Sequence, residues 1–95
     1  MGREAQERVK YKVIIKPSAE KDLLNLPRRD YDKVRIRIGA LVENPRPYGV
    51  IHLKTKDNYR IRVGNYRVIY KINDEIRLVE VLKVPRRNEG TYKGL

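Results

Sequence analysis

The chain has 95 residues, with 23 Lys and Arg against 12 Asp and Glu, a formal net charge of +11 at pH 7. Its length supports one small core that buries about 65% of the surface of the extended chain, and 40% hydrophobic residues make it too apolar to read as disordered. The absence of Cys and the single His exclude a disulfide framework, a thiolate nucleophile, Cys-ligated zinc, His-cluster metal sites and a His-pair mechanism for cutting RNA.

Residues 1–8 are polar and aperiodic, and are expected to form a flexible N-terminus ahead of a single domain over residues 9–95. They have no apolar segment behind their charges, so no secretory signal is read there. From Val9, the alternation of Val9, Tyr11, Val13 and Ile15 with Lys10, Lys12, Ile14 and Lys16 predicts a half-buried strand. Pro17 stops it, and Ser18 is placed to cap a following helix. Ala19, Leu23 and Leu26, with Leu24 beside them, mark one face of that short helix, which Pro27 closes.

A second helix is expected from about Arg29 to Glu43, with Tyr31, Val34, Ile38, Leu41 and Val42 as its apolar stripe. Gly39 within it suggests close approach to the first helix. Asn44-Pro45-Arg46-Pro47 ends the element, and the tight junction at Pro27 predicts an αα-hairpin.

Strand patterns follow. Ile51 and Leu53 flank His52, which reads as a packing or surface residue rather than a catalyst. Lys54 to Asn58 is turn-like. Tyr59, Ile61 and Val63 alternate with Arg60 and Arg62, and Gly64-Asn65 separates them from the strand Tyr66–Ile72, as in a tight hairpin. Asn73-Asp74 makes the next turn. Ile76 to Val84 is apolar on both faces, the pattern of a strand that is central or covered on both sides. The predicted class is therefore α+β: an N-terminal strand and a two-helix hairpin packed on one face of a mainly antiparallel sheet of four or five strands.

The positive charge predicts salt-dependent attraction to polyanions such as RNA. Residues 1–53 carry 12 positive and 7 negative side chains, and residues 54–95 carry 11 and 5, so the excess is denser in the second half. A two-residue Gly64-Asn65 loop pairs Val63 with Tyr66 and Arg62 with Arg67. Paired residues project from the same face, and Arg60 shares it by period two. Arg60, Arg62 and Arg67 then cluster opposite the face bearing Ile61, Val63, Tyr66, Val68 and Tyr70. Directly opposed arginines repel unless an anion lies between them, and guanidinium groups suit phosphate oxygens. Arg86-Arg87 lies just past the last strand, and the ring of Tyr92 in the tail could stack on a splayed base. No Asp/Glu pair has metal spacing and there is no phosphate-cradling glycine loop. Chemistry here falls to Arg, Lys and Tyr, and the proton acceptor is the open question, because Arg hardly titrates.

These residues carry a family resemblance. Val63-Gly64-Asn65-Tyr66-Arg67-Val68-Ile69-Tyr70, the run Val79-Glu80-Val81-Leu82-Lys83-Val84, Arg86-Arg87 with Tyr92, and Tyr11 to Ala19 through Leu26-Pro27 resemble the RelE/ParE superfamily of toxins from toxin–antitoxin systems, over about residues 9–93. The resemblance implies a microbial-RNase-like domain with its active site on a sheet face and with no metal or cofactor. It implies, for the RelE branch, cleavage of mRNA in the ribosomal A site by attack of the 2′-hydroxyl on the adjacent phosphate. The ParE branch poisons DNA gyrase instead, and a non-catalytic basic RNA- or ribosome-binding module is a third reading. The resemblance implies three partners, a cognate RelB-like antitoxin, the ribosome and its bound mRNA; a cytoplasmic location is expected from the lack of a secretory signal and of an apolar run of about 18 residues.

Carried over by position, Arg60 and Arg62 stand where well-studied RelE enzymes have lysines, one of them proposed as general base. Arg67 would bind phosphate, Arg87 or Arg86 would contact the scissile phosphate or leaving group, and Tyr92 would orient a base. With arginines at 60 and 62, either another group such as Lys54 or Lys56 serves as base, or catalysis rests on orientation and charge. Lys54 and Lys56 join Arg60, Arg62, Arg67 and Arg87 as expected nucleic-acid contacts.

Overall fold

A computed structural model describes residues 9–54 and 57–86. The elements are β1 (Lys12–Ile15), α1 (Pro17–Leu24), α2 (Arg28–Ala40), β2 (Ile51–His52), β3 (Asn58–Val63), β4 (Tyr66–Asn73) and β5 (Leu78–Lys83). They make a five-stranded sheet in the order β1-β5-β4-β3-β2. Among the described strands β1 and β5 pair in parallel and the other neighbours are antiparallel. The predicted α+β class, with the helices gathered on one face of a mainly antiparallel sheet, is the observed one.

Each helix forms where its apolar spacing meets that sheet. Ala19 and Leu23, one turn apart, are both fully buried in α1, which packs on β5. Val34, Ile38 and Leu41 are buried along α2, which lies over β3 and β4. They meet Ile61, Val63, Tyr66, Val68, Tyr70, Ile72, Val79 and Val81 of the sheet in one continuous core. Proline sets both helix starts: Pro17 occupies the first turn of α1 and Pro27 is the N-cap of α2, where its missing N–H costs nothing.

Several expectations are corrected. The first strand begins at Lys12, and Val9 and Lys10 are exposed. Ser18 does not cap α1, whose N-cap is Lys16; its hydroxyl donates instead to the Leu82 carbonyl at 2.6 Å, tying α1 to β5. Gly39 does not bring the helices together: it is exposed, and nothing lies within 4 Å of where a Cβ would stand. The last strand starts at Leu78 because Arg77 takes a positive φ of 52° and ends the turn before it. β5 is an interior strand, as its composition suggests, but the helices cover only one of its faces. Leu78 and Leu82 remain partly exposed.

Candidate functional site

The face of the sheet away from the helices is built by the β3–β4 hairpin. Gly64 has φ +60° and Asn65 does not share the positive φ, which fits a type II′ turn with glycine first, the turn whose twist matches a hairpin. The register is the one that loop length dictates: Val63 pairs with Tyr66, Arg62 with Arg67, Ile61 with Val68 and Arg60 with Ile69. Ile61, Val63, Tyr66 and Val68 are buried under the helices. Arg60, Arg62 and Arg67 therefore project from the opposite face, with Arg62 exposed and the other two partly buried.

Arg60 Nε is buried without a hydrogen-bond partner among the described residues. A buried charged donor left unpaired costs roughly 1–3 kcal/mol or more, and a phosphate or carboxylate oxygen arriving at this face would recover it. Further along the face, Lys71 opposes Glu80 on β5, and Glu80 also lies 3.8 Å from Lys16 Nζ. The Glu80 carboxylate is thus paired with Lys16, in the row next to that of Arg60 and away from the hairpin loop.

The register between β4 and β5 breaks at Ile69/Tyr70: Tyr70 pairs with Val81, yet Ile69 pairs with Lys83. Leu82 is the extra residue of this bulge. Strict alternation from the buried Val81 would send Lys83 toward the helices and Val84 away from them. The bulge reverses both, so Val84 is 2% exposed in the core and Lys83, exposed, shares the face of Ile69, Arg60 and Arg67. Bulges re-aim side chains in this way.

Arg86 stands apart from the other arginines. It bridges to Tyr66, and paired residues share a face, so it turns to the helix side. There it lines a cleft with Asp22, Asn25 and Tyr66. The Asp22 carboxylate accepts the Val84 N–H at 2.8 Å. Tyr66 donates its hydroxyl to Asp30 at 2.8 Å; burial and that bond hold its pKa above the ordinary tyrosine value. The structure thus brings Arg60, Arg62 and Arg67 together and leaves Arg86 off that face. Lys54 is exposed in the turn joining β2 to β3, at the opposite end of β3 from the hairpin loop. Lys56, Arg87 and Tyr92 lie outside the described residues.

A second cluster was not foreseen. Arg46 Nη1 and Nη2 donate to the two oxygens of Asp74 at 3.2 and 2.9 Å, and Nη2 also reaches the Tyr59 hydroxyl at 3.1 Å. Tyr11 donates to Asp74 at 2.6 Å. His52 stacks on Tyr59, with ring centroids 4.6 Å apart, which is the packing role read for it. The hydrogen bonds from Arg46, then Tyr11, hold the Asp74 carboxyl below its ordinary pKa. This network ties the loop after α2 to β1, β3 and the β4–β5 turn. Its members are scattered from residue 11 to residue 74, and no local spacing signals it.

The chain matches the family model described as the ParE toxin of the type II toxin–antitoxin system parDE over residues 13–90, and it belongs to that family. Its relatives at 32% identity or more include RelE proteins. It is 36% identical to RelE1 of Methanocaldococcus jannaschii over 90 residues, covering 90% of this chain and 99% of the relative. The toxin in the RelE–RelB complex from Pyrococcus horikoshii superposes with a TM-score of 0.76 at 34% identity, covering 84% of this chain and 98% of that one. The toxin–antitoxin complex RelBE2 from Mycobacterium tuberculosis gives 0.71 at 32% identity, covering 83% and 100%. Within the RelE/ParE superfamily these relatives put the chain on the RelE-like branch.

Proposed function

We propose that the chain is a ribosome-dependent endoribonuclease that cleaves mRNA in the A site and so arrests translation, with a RelB-like antitoxin as its natural inhibitor. The observation that carries this reading is the sheet face opposite the helices, on which Arg62 directly opposes Arg67 with Arg60 beside them. Three guanidinium groups held together by backbone register form a preorganised site for a phosphate whose negative charge grows in the transition state. The nucleophile is the neighbouring 2′-hydroxyl, which RNA has and DNA lacks. Arg67 and Arg62 hold the scissile phosphate, Arg60 contacts an adjoining one, and Arg87 and Tyr92 serve the leaving group and the flanking base. Lys54 and Lys56 extend the contact to the RNA backbone. The complexes of RelE-like relatives with RelB support an antitoxin of the same kind, and the lone buried Arg60 Nε offers its acidic residues a docking point.

The test is an A-site cleavage assay with purified ribosomes and defined message. Cuts by the wild-type toxin, lost by about 100-fold or more in Arg67→Ala as for removal of one oxyanion-stabilising donor and also lost in Tyr92→Ala, support the reading; intact message with folded protein overturns it. The parDE description of the matching family model favours one alternative, a gyrase-inhibiting toxin. That reading predicts trapped cleaved DNA and blocked supercoiling while message stays whole.

A further inference from the structure

The arginine face leaves one chemical requirement unmet. Attack by a 2′-hydroxyl needs a group that takes its proton, and a guanidinium, with a pKa above about 12, does not. The β4–β5 bulge delivers an amine to the same face. Lys83 is the direct partner of Ile69, and Ile69 is the direct partner of Arg60, so the three form one row across β5, β4 and β3. Arg67, two residues before Ile69 on β4, is the diagonal neighbour of Lys83, at about 7–8 Å between backbones, within reach of long side chains.

The charged groups around Lys83 can be named element by element. β4 presents Arg67 and Lys71, and β3 presents Arg60 and Arg62. β1 presents Lys12, Lys16 directly follows that strand, and β5 itself presents Glu80. Glu80 pairs with Lys16 at 3.8 Å and stands opposite Lys71 in the strand register. On the helix side, Asp22 takes the Val84 N–H and Ser18 serves the Leu82 carbonyl. Lys83 has no acidic partner among the described residues. It thus stands in the row of Arg60 and diagonal to Arg67, held by no carboxylate among the described residues, whereas Lys71 lies one row further from the hairpin loop.

We propose that Lys83 is the proton acceptor of the cleavage reaction, an assignment that rests on the endoribonuclease reading. Its neutral Nζ takes the proton of the 2′-hydroxyl as the O2′–P bond forms and the P–O5′ bond breaks. The departing O5′ takes a proton from water, and the Lys83 ammonium returns its own to the hydroxide so formed. The products are a 2′,3′-cyclic phosphate and a 5′-hydroxyl end. The arginines hold the phosphate and stabilise its charge, so the division of labour is between fixed cations on the β3–β4 hairpin and a titratable one on β5.

The test is single-turnover A-site cleavage by the full chain at saturating toxin, over a range of pH, for wild type, Lys83→Arg and Lys83→Ala. Lys83→Arg keeps the charge and the length and removes the exchangeable amine. The expected result is a fall of about 100-fold or more in both variants, the low end of general-base contributions. The wild-type rate should rise with pH, the rise should vanish in both variants, and added ethylamine should partly restore Lys83→Ala. Cleavage by Lys83→Arg at the wild-type rate, with the same pH profile, overturns the assignment and leaves the endoribonuclease reading standing. Absence of cuts by the wild type overturns that reading and this assignment with it.

Discussion

The opposed pair Arg62–Arg67 makes a prediction about the free toxin that needs no substrate. Arg62 is exposed and faces Arg67 directly across the hairpin, where paired Cβ atoms lie about 5 Å apart. Charged ends that splay to about 6–10 Å in water repel by roughly 0.4–0.7 kcal/mol at a dielectric constant near 80, within the roughly 0.2–1 kcal/mol span of measured cross-strand pairs. Arg62→Thr removes the repulsion and keeps a residue suited to a strand. The variant should therefore be more stable than wild type by about that amount, which for a domain of this size raises Tm by roughly 2–5 °C. The assay is urea or thermal unfolding of the antitoxin-free toxin at low salt, repeated in 1 M salt. There the screening length falls to about 3 Å, and the gain should shrink. An Arg62→Thr variant that is equally stable or less stable than wild type at low salt refutes the claim that this face is strained by its own charge, and so refutes the reason given for its demand for an anion.

Three other outcomes follow from the packing. Leu23→Ala, at a fully buried position between α1 and the sheet, should cost about 2–5 kcal/mol by denaturant unfolding. Tyr70→Phe removes the buried hydroxyl that donates to the Pro45 carbonyl at 2.7 Å and should cost about 0.5–1.5 kcal/mol, with the loop after α2 exchanging its amide protons faster. For Asp74, Arg46 and Tyr11 depress the folded carboxyl pKa below its unfolded value. Its contribution is therefore fully present above the unfolded carboxylate range near pH 4 and is lost as pH falls through the lower folded value. Asp74→Asn should flatten that part of the acid limb of a stability–pH curve, with a small amplitude because the group is exposed.

What the sequence discloses follows the range of the interactions. Local periodicity identified both helices and the β3–β4 hairpin. Because a two-residue loop fixes parity, Gly64-Asn65 alone was enough to place Arg60, Arg62 and Arg67 on one side. Parity fails at a bulge. Nothing in Val81-Leu82-Lys83-Val84 announces that Leu82 is the extra residue, so the run reads as apolar on both faces and Lys83 goes unnoticed as a member of the arginine face. Carrying the register one strand further requires knowing where Tyr70 pairs, which is a tertiary fact. Ser18 shows the same limit in reverse: its position before a helix suits a cap, but a carbonyl 64 residues away claims its hydroxyl. The Arg46–Asp74–Tyr11 network joins residues whose contacts exist only once the sheet is assembled.

The parallel pairing of β1 with β5 has a consequence for synthesis. Residues 12–15 align with residues 78–81, so the first strand made must wait for the last before it has a neighbour in the sheet. Such a contact closes a long loop, which slows folding. At about 5–20 residues per second, several seconds separate the two strands on the ribosome that makes them. During that interval the arginine-bearing hairpin can form, but β1 cannot dock at the edge of the sheet. The order of the strands thus acts as a delay line: completion of the toxin's sheet is deferred until residues 78–81 have left the ribosome that made them.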